Sequence, residues 1–378
     1  MTPPTESSST TASTSDSRRT LRRRFLLSLV AALVIYAGFL VYGDLDKLRP
    51  LLRDFPWLWL PAILGLTLIN YAGRLLKWLW YLRIVGSKIS WQDGTRVFGV
   101  GMTMVLTPGK AGELLKSYMV KNAGGTPMSV TAPIVLSERL TDGLAMLLLA
   151  GVGLLAFDDP LLRRAAATML AVLFAVVAVV WIRPLSLTLL RTGERVPLMR
   201  NYVSHAHSFY ESSYMLLAPR NLLIAVAIGV VSWSCEGLAY YLVLLGMTAG
   251  GAEPLAVGIQ TALTSVFIFS ISTVLGAVMA TPGGLGATEA SLVALSQRLL
   301  GLDAATATAS ALLIRFATLW FGVGIGLVCL ARWSHLLEGP VPSREPSPGG
   351  GPPTDAAAAD TASADTASTD APSSPVES

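Results

Sequence analysis

Long apolar runs recur along the chain between short polar segments, and most are long enough to cross a hydrocarbon core of roughly 30 Å. The pattern predicts full-length helices at 25–43, 57–82, 133–157, 165–183, 221–246 and 303–331. Two further apolar segments are interrupted. In 96–122, about a dozen apolar residues run into a Thr-Pro-Gly break at 107–109 and resume as an amphipathic helix. In 255–300, a longer apolar stretch reaches a second Thr-Pro-Gly break at 281–283 and continues as SLVALSQRLL. Proline removes a backbone donor and glycine frees the backbone, so each break stops its helix. In lipid the freed backbone groups must be buried in protein or line a watery cavity. Two re-entrant helical hairpins are the expectation, with two kinked spans as the plainer alternative.

The ends have a different pattern. Residues 1–17 are rich in Ser and Thr, and 339–378 turn from Pro/Gly-rich to Ala/Ser/Thr/Asp-rich. Neither can form an apolar face, so both are expected to be solvated tails. A run of Arg18, Arg19, Arg22, Arg23 and Arg24 precedes the first apolar stretch. With no small-residue cleavage site before Asp44, an uncleaved anchor helix is expected rather than a removed signal. The arginine run also orients the chain. With the N-terminus inside and each hairpin returning to its own side, 18 of the 28 basic residues fall inside, six outside and four within spans. Both termini are therefore expected in the cytoplasm, with the protein multi-pass in the plasma membrane.

Composition narrows the chemistry. Only 14% of residues are charged, against about 25% in ordinary soluble domains, and mean hydropathy is +0.57. Cys235 and Cys329 lie in apolar runs, and His205, His207 and His335 lack partners at ligand spacing. No metal site and no cofactor is expected. The net charge of +4 is accounted for by inside loops, which leaves nothing that points to nucleic acid.

The chain also repeats itself. TPGKAG at 107–112 and TPGGLG at 281–286 are offset by 174 residues (281 − 107), and Arg139 and Arg315 by 176 (315 − 139). WYLRIVG at 80–86 and YYLVLLG at 240–246 are offset by 160. The landmarks keep their order, so each half reads as helix, helix, hairpin, helix. Three full spans per half is an odd number, which places the halves in opposite orientation, as in secondary transporters with a site near the midplane. The expected fold is an all-α integral membrane protein of about six full transmembrane helices plus two re-entrant hairpins. Its inverted repeat has halves of about 25–157 and 165–331. The membrane domain spans 25–338, between tails 1–24 and 339–378.

Residues 57–331 resemble the transmembrane, flippase-like domain of lysylphosphatidylglycerol synthases, the multiple peptide resistance factor family. The likeness rests on NYAGRLLKW at 70–78, TPGKAGELLKSYMV at 107–120, SERLTDG at 137–143 and ATPGGLGATE at 280–289. It implies translocation between leaflets of a lipid with a polar or charged headgroup. The full-length synthases carry a soluble aminoacyl-transfer domain after the membrane part. About 46 tail residues follow Arg332 here (378 − 332), too few and too polar to fold into such a domain. A stand-alone member without aminoacyl-transfer activity is expected.

Ionisable residues inside a membrane are functional candidates by default. Arg74 and Lys77 share a face of the second helix, where Lys77 can instead snorkel to the headgroups. Glu138, Arg139 and Asp142 open the third full helix, with Arg139 able to pair with Asp142 at i, i+3. That cluster serves equally as a structural ion-pair group. Glu236 and Arg315 both sit mid-span and are expected to pair. At the breaks, Thr107, Pro108, Gly109, Lys110 and Gly112 match Thr281, Pro282, Gly283, Gly284 and Gly286. Each new helix there offers free N–H groups to a phosphate. Glu113 and Glu289 sit in its first turn, as dipole caps or as proton carriers. The glycines allow close approach of a ligand or of a neighbouring helix. The partners implied are membrane lipids, in particular one with an anionic or phosphate headgroup. Two functions fit: a flippase for a phospholipid or polyprenyl-phosphate-linked lipid, or a membrane-embedded enzyme acting on such a lipid. The enzyme should show an acidic metal-binding or base-forming motif. No HxxxxD-type acid pair and no catalytic Ser–His arrangement is found in the sequence.

Overall fold

A computed structural model describes residues 34–107, 113–154, 203–251, 254–279 and 281–337, with scattered positions between 160 and 175. The tails, most of the 165–183 span and the tip residues Pro108, Gly109, Lys110 and Gly112 lie outside the described residues. Among the described residues every regular element is a helix.

Helix α1, described from 34 to 42, is followed by α2 (Leu45–Asp54), an amphipathic helix that Asp44 caps. A 3₁₀ turn at Trp57–Trp59 leads into α3 (Leu60–Ile84), which has a proline in its first turn, where no N–H bond is lost. Helix α4 (Trp91–Gly101) starts at Ser90, whose hydroxyl accepts from the Asp93 N–H at 3.0 Å. It tightens into a 3₁₀ segment at Met102–Leu106. Beyond the break come α5 (Leu115–Gly124), α6 (Met128–Gly153), α7 (Val203–Leu216) and α8 (Pro219–Thr248). Helix α9 (Ile259–Val278) ends at the second break, where a 3₁₀ turn at Pro282–Gly284 precedes α10 (Ala287–Leu300). Helix α11 (Ala304–Arg332) opens on Asp303, whose carboxylate accepts from the N–H groups of Ala305 and Thr306 at 2.8 and 3.1 Å.

Four helices among the described residues are long and apolar enough to cross a bilayer: Trp57–Ile84, α8, α9 and α11. Helix α6 has 26 residues, about 39 Å at 1.5 Å per residue, and is long enough as well. Its apolar character is diluted by Glu138, Arg139 and Asp142. The interrupted segments differ from one another. In the first, α4 and α5 are both short arms. In the second, α9 alone has 20 residues, about 30 Å, so its first arm is full-length rather than the half-span that a symmetric re-entrant hairpin needs.

Helix α3 lies along α8, and α9 packs on both α6 and α8. Small residues bring these axes close: a Cβ on Gly229 would stand 2.8 Å from that of Ala145, and one on Gly73 would overlap the Ser232 hydroxyl. The arms α4 and α5 pack together, as do α9 and α10, and the two breaks meet. Leu106 of the first break joins Leu285 of the second, with Leu319 and Val323 of α11, in one buried apolar cluster. At the second break Gly283, Gly284 and Gly286 have φ of 62°, 71° and 84°, a region that L side chains enter only at a cost.

Candidate functional site

A cavity of about 100 Å³ opens beside the meeting point of the two breaks. A single water needs roughly 10–15 Å³ on this measure, so the space suits several waters or one small charged group. Its charged lining comprises Arg74 from α3, Lys116 from α5, Arg139 from α6, Arg315 from α11, Glu113 and Glu236. Four cations thus face two carboxylates. Tyr71, Phe98, Trp233 and Phe269 supply aromatic walls, and Gly283 and Gly284 bring backbone to the edge.

Carboxylates hold Lys116, Arg139 and Arg315, Glu113 from within the lining and the others from behind it. Lys116 Nζ donates to Glu138 Oε2 at 2.8 Å, with Trp78 beneath it at 4.4 Å. Arg139 donates through Nη2 to Glu113, and Lys77 is bonded to Asp142 and to the Thr141 hydroxyl. Arg315 donates through Nε to Glu289 Oε1 at 2.7 Å and through Nη2 to the Gly283 carbonyl at 2.6 Å. The other Glu289 oxygen accepts from the Gly286 N–H at 2.7 Å. Glu289 is therefore a helix cap and an ion-pair partner at once, and Arg315 clamps the second break through both its carbonyl and its cap. Directly after Arg315 the helix widens into a π-turn at Phe316–Trp320, a form that concentrates at functional sites. The Tyr71 hydroxyl donates to the Thr318 carbonyl within that turn.

Two expected pairings are corrected, and the snorkelling alternative for Lys77 falls. Arg315 binds Glu289, not Glu236, although Glu236 lines the same cavity. Arg139 reaches across to Glu113, just after the first break, instead of down its own helix to Asp142. Lys77 does not snorkel: it is 1% exposed and paired with Asp142. A membrane interior makes an unpaired ammonium costly, so a partner on the facing helix wins over a stretched path to the headgroups.

The remaining candidates separate by position. Arg74, Glu113, Arg139, Glu236, Gly283, Gly284 and Arg315 come together at the cavity. Lys77, Glu138, Asp142 and Glu289 stand behind it. Thr107, Thr281, Pro282 and Gly286 shape the breaks without lining the cavity; Thr107 Oγ1 donates back to the Met104 carbonyl at 2.6 Å. Pro108, Gly109, Lys110 and Gly112 lie outside the described residues.

The sequence reading missed several groups. Tyr36 on α1 accepts from Trp320 Nε1 at 2.9 Å and reaches Glu289 at 3.4 Å. Trp233 carries the Arg74 guanidinium 5.7 Å above its ring. Aromatic residues in apolar runs look like any core residue, so neither had a signal. The two Glu–Arg pairs did have one. Glu113 and Arg139 are 26 apart, and so are Glu289 and Arg315.

The family described as "Lysylphosphatidylglycerol synthase TM region" matches residues 28–326. The chain is also 23% identical, over 330 residues, to a UPF0104 membrane protein of Methanothermobacter thermautotrophicus. The aligned region covers 81% of this chain and 94% of that protein.

Proposed function

The chain belongs to the lysylphosphatidylglycerol synthase TM region family, and from that premise we propose that it moves a lipid with a phosphate-bearing headgroup between leaflets. The observation that carries this reading is the cation-lined cavity beside the point where the two breaks meet, inside a bundle of membrane-length helices. A headgroup-sized polar chamber with apolar surroundings is what a lipid needs to carry its charge across hydrocarbon while its tails stay in lipid. Phosphate oxygens match guanidinium and ammonium donors, and charge-assisted bonds of this kind are the strong ones. The apolar cluster of Leu106, Leu285, Leu319 and Val323 is a seal between the breaks, and parting it would open a path.

Two related halves support alternating access. The pairs Glu113–Arg139 and Glu289–Arg315 share one offset: 289 − 113 and 315 − 139 both equal 176. Each joins the first residues after a break to the helix that follows the hairpin. In an inverted repeat of six full spans and two re-entrant hairpins these pairs are equivalent, one for each side of the membrane. In this reading the protein sits in the plasma membrane with both termini in the cytoplasm.

The test is reconstitution into vesicles of phosphatidylcholine carrying a trace of fluorescent phosphatidylglycerol. Dithionite quenching of the outer leaflet reports exchange. Proteoliposomes are expected to lose nearly all fluorescence where protein-free vesicles lose about half, with the lipids recovered chemically unchanged. A loss equal to that of empty vesicles for phosphatidylglycerol, and for a polyprenyl phosphate tested alike, would refute translocation. A new lipid product would point to an enzyme.

A further inference from the structure

Five cations of the described bundle lie at or behind the cavity, and four of them are already held. Lys77, Lys116, Arg139 and Arg315 each donate to a carboxylate. Arg74 differs: among the described residues it has no carboxylate at salt-bridge distance, and its guanidinium rests on Trp233 while both residues line the cavity. An arginine inside a membrane bundle without a carboxylate in contact is costly, and a stack on an indole face repays only part of that. Across the cavity Arg139 uses Nη2 on Glu113, while its buried Nε has no hydrogen-bond partner among the described residues. The cavity therefore presents one guanidinium with no carboxylate at salt-bridge distance among the described residues, from α3, and Arg139 of α6 lines the same cavity with a buried N–H still unused.

We propose that Arg74, presented on Trp233, is the residue that receives the phosphate oxygens of the translocated lipid, with Arg139 as a second donor. This rests on the translocation reading and names the anion receptor of that same cavity. A phosphate bound by Lys116 or Arg315 must first compete with Glu138 or Glu289. At Arg74 it displaces no ion-paired carboxylate among the described residues. The planar fork matches two phosphate oxygens at once, and a lysine at 74 keeps the charge while losing both fork and stack. The paired cations then serve to hold helices, and their loss should act first on stability.

The test titrates the purified full-length protein, in an uncharged detergent, with dihexanoylphosphatidylglycerol and separately with inorganic phosphate, by calorimetry. Thermal melting of each variant is followed in parallel. Arg74→Gln is expected to weaken lipid binding at least tenfold with melting unchanged or raised. Arg74→Lys should fall between, Trp233→Phe should weaken binding more mildly, and Arg298→Gln, on the exposed end of α10, should bind as wild type. Lys77→Gln should instead lower the melting temperature. Wild-type affinity in Arg74→Gln overturns the proposal. If Arg74→Gln does not fold, undiminished binding by both Arg74→Lys and Trp233→Phe overturns it equally. Inorganic phosphate binding as tightly as the lipid would make the site a receptor for free phosphate and also overturn the assignment to a lipid. If Arg74 controls binding yet the wild-type protein exchanges no lipid in vesicles, the anion receptor stands and translocation fails.

Discussion

Replacing Glu289 by Gln tests the ion-pair arrangement at its most buried point. Glu289 is fully buried and Arg315 is 8% exposed, so the substitution leaves a guanidinium inside the bundle with a neutral partner. Breaking a buried pair from one side typically costs about 3–5 kcal/mol, because the surviving charge is uncompensated. The amide oxygen of Gln can still accept from the Gly286 N–H, so most of the loss reports the charge and not the cap. Adding Arg315→Gln removes the orphan charge, and the double variant should recover about 1–3 kcal/mol relative to the sum of the singles. Equilibrium unfolding in mixed micelles gives the three free-energy changes. The equivalent cycle on Glu113 and Arg139 should have the same sign and a smaller size, because the Arg139 side chain is 26% exposed. A cycle on Glu236 and Arg315, which line one cavity without an ion pair between them, should show a smaller coupling than Glu289 with Arg315. Additivity for Glu289 with Arg315, or a larger coupling for Glu236, would refute the pairing and the equivalence of the halves that rests on it.

Single cysteines introduced at 90, 205 and 345 should react with an impermeant reagent only from the cytoplasmic side, and those at 50 and 160 only from outside. Outside labelling at 205 would put an even number of spans between the halves and end the inverted-repeat reading. Gly283→Ala should cost about 1–2 kcal/mol in the same unfolding assay for its left-handed φ of 62°. The Leu106 and Leu319 tips stand 3.3 and 3.4 Å from the new methyl and can shift. Asp303→Ala should cost about 1 kcal/mol as a lost N-cap. Partial burial alone would raise the Asp303 carboxyl, but hydrogen bonds from Thr306 and Ala305 outweigh it and hold the group below its ordinary value. Its contribution is complete above the ordinary carboxylate range and is lost as pH falls through the lowered value, so the wild-type advantage over Asp303→Ala should shrink in acid.

The helices were legible where apolar runs are uninterrupted. Residues 221–246 and 303–331 were expected to be helical, and α8 and α11 run Pro219–Thr248 and Ala304–Arg332. Hydrocarbon thickness fixes those lengths, so composition alone carries them. Helix α6 begins at Met128, five residues before the expected 133, because its first turns are amphipathic and Pro133 reads as a start when it is an interior residue. The breaks were legible from Thr-Pro-Gly, but the length of the α9 arm was not, since a buried apolar helix and half a hairpin share one pattern. At the site the charged residues announced themselves, and their partners did not. A spacing of three or four along one helix suggested Arg139 with Asp142, yet each side chain found its partner on a facing helix. Mid-span placement suggested Glu236 for Arg315, where the first turn after the break supplied Glu289. The repeated interval of 26 held that information in the sequence.

Leaflet exchange by a protein whose cavity has been filled is the most direct test of passage through that cavity. Thr273 on α9 lines it, and its hydroxyl bonds backward to the Phe269 carbonyl at 2.8 Å, so Thr273→Phe adds a ring to the chamber without breaking an ion pair. In vesicles holding equal amounts of folded protein, the wild type should equilibrate fluorescent phosphatidylglycerol between leaflets and Thr273→Phe should reduce that rate at least tenfold. Wild-type exchange by a folded Thr273→Phe protein would contradict passage of the headgroup through this cavity.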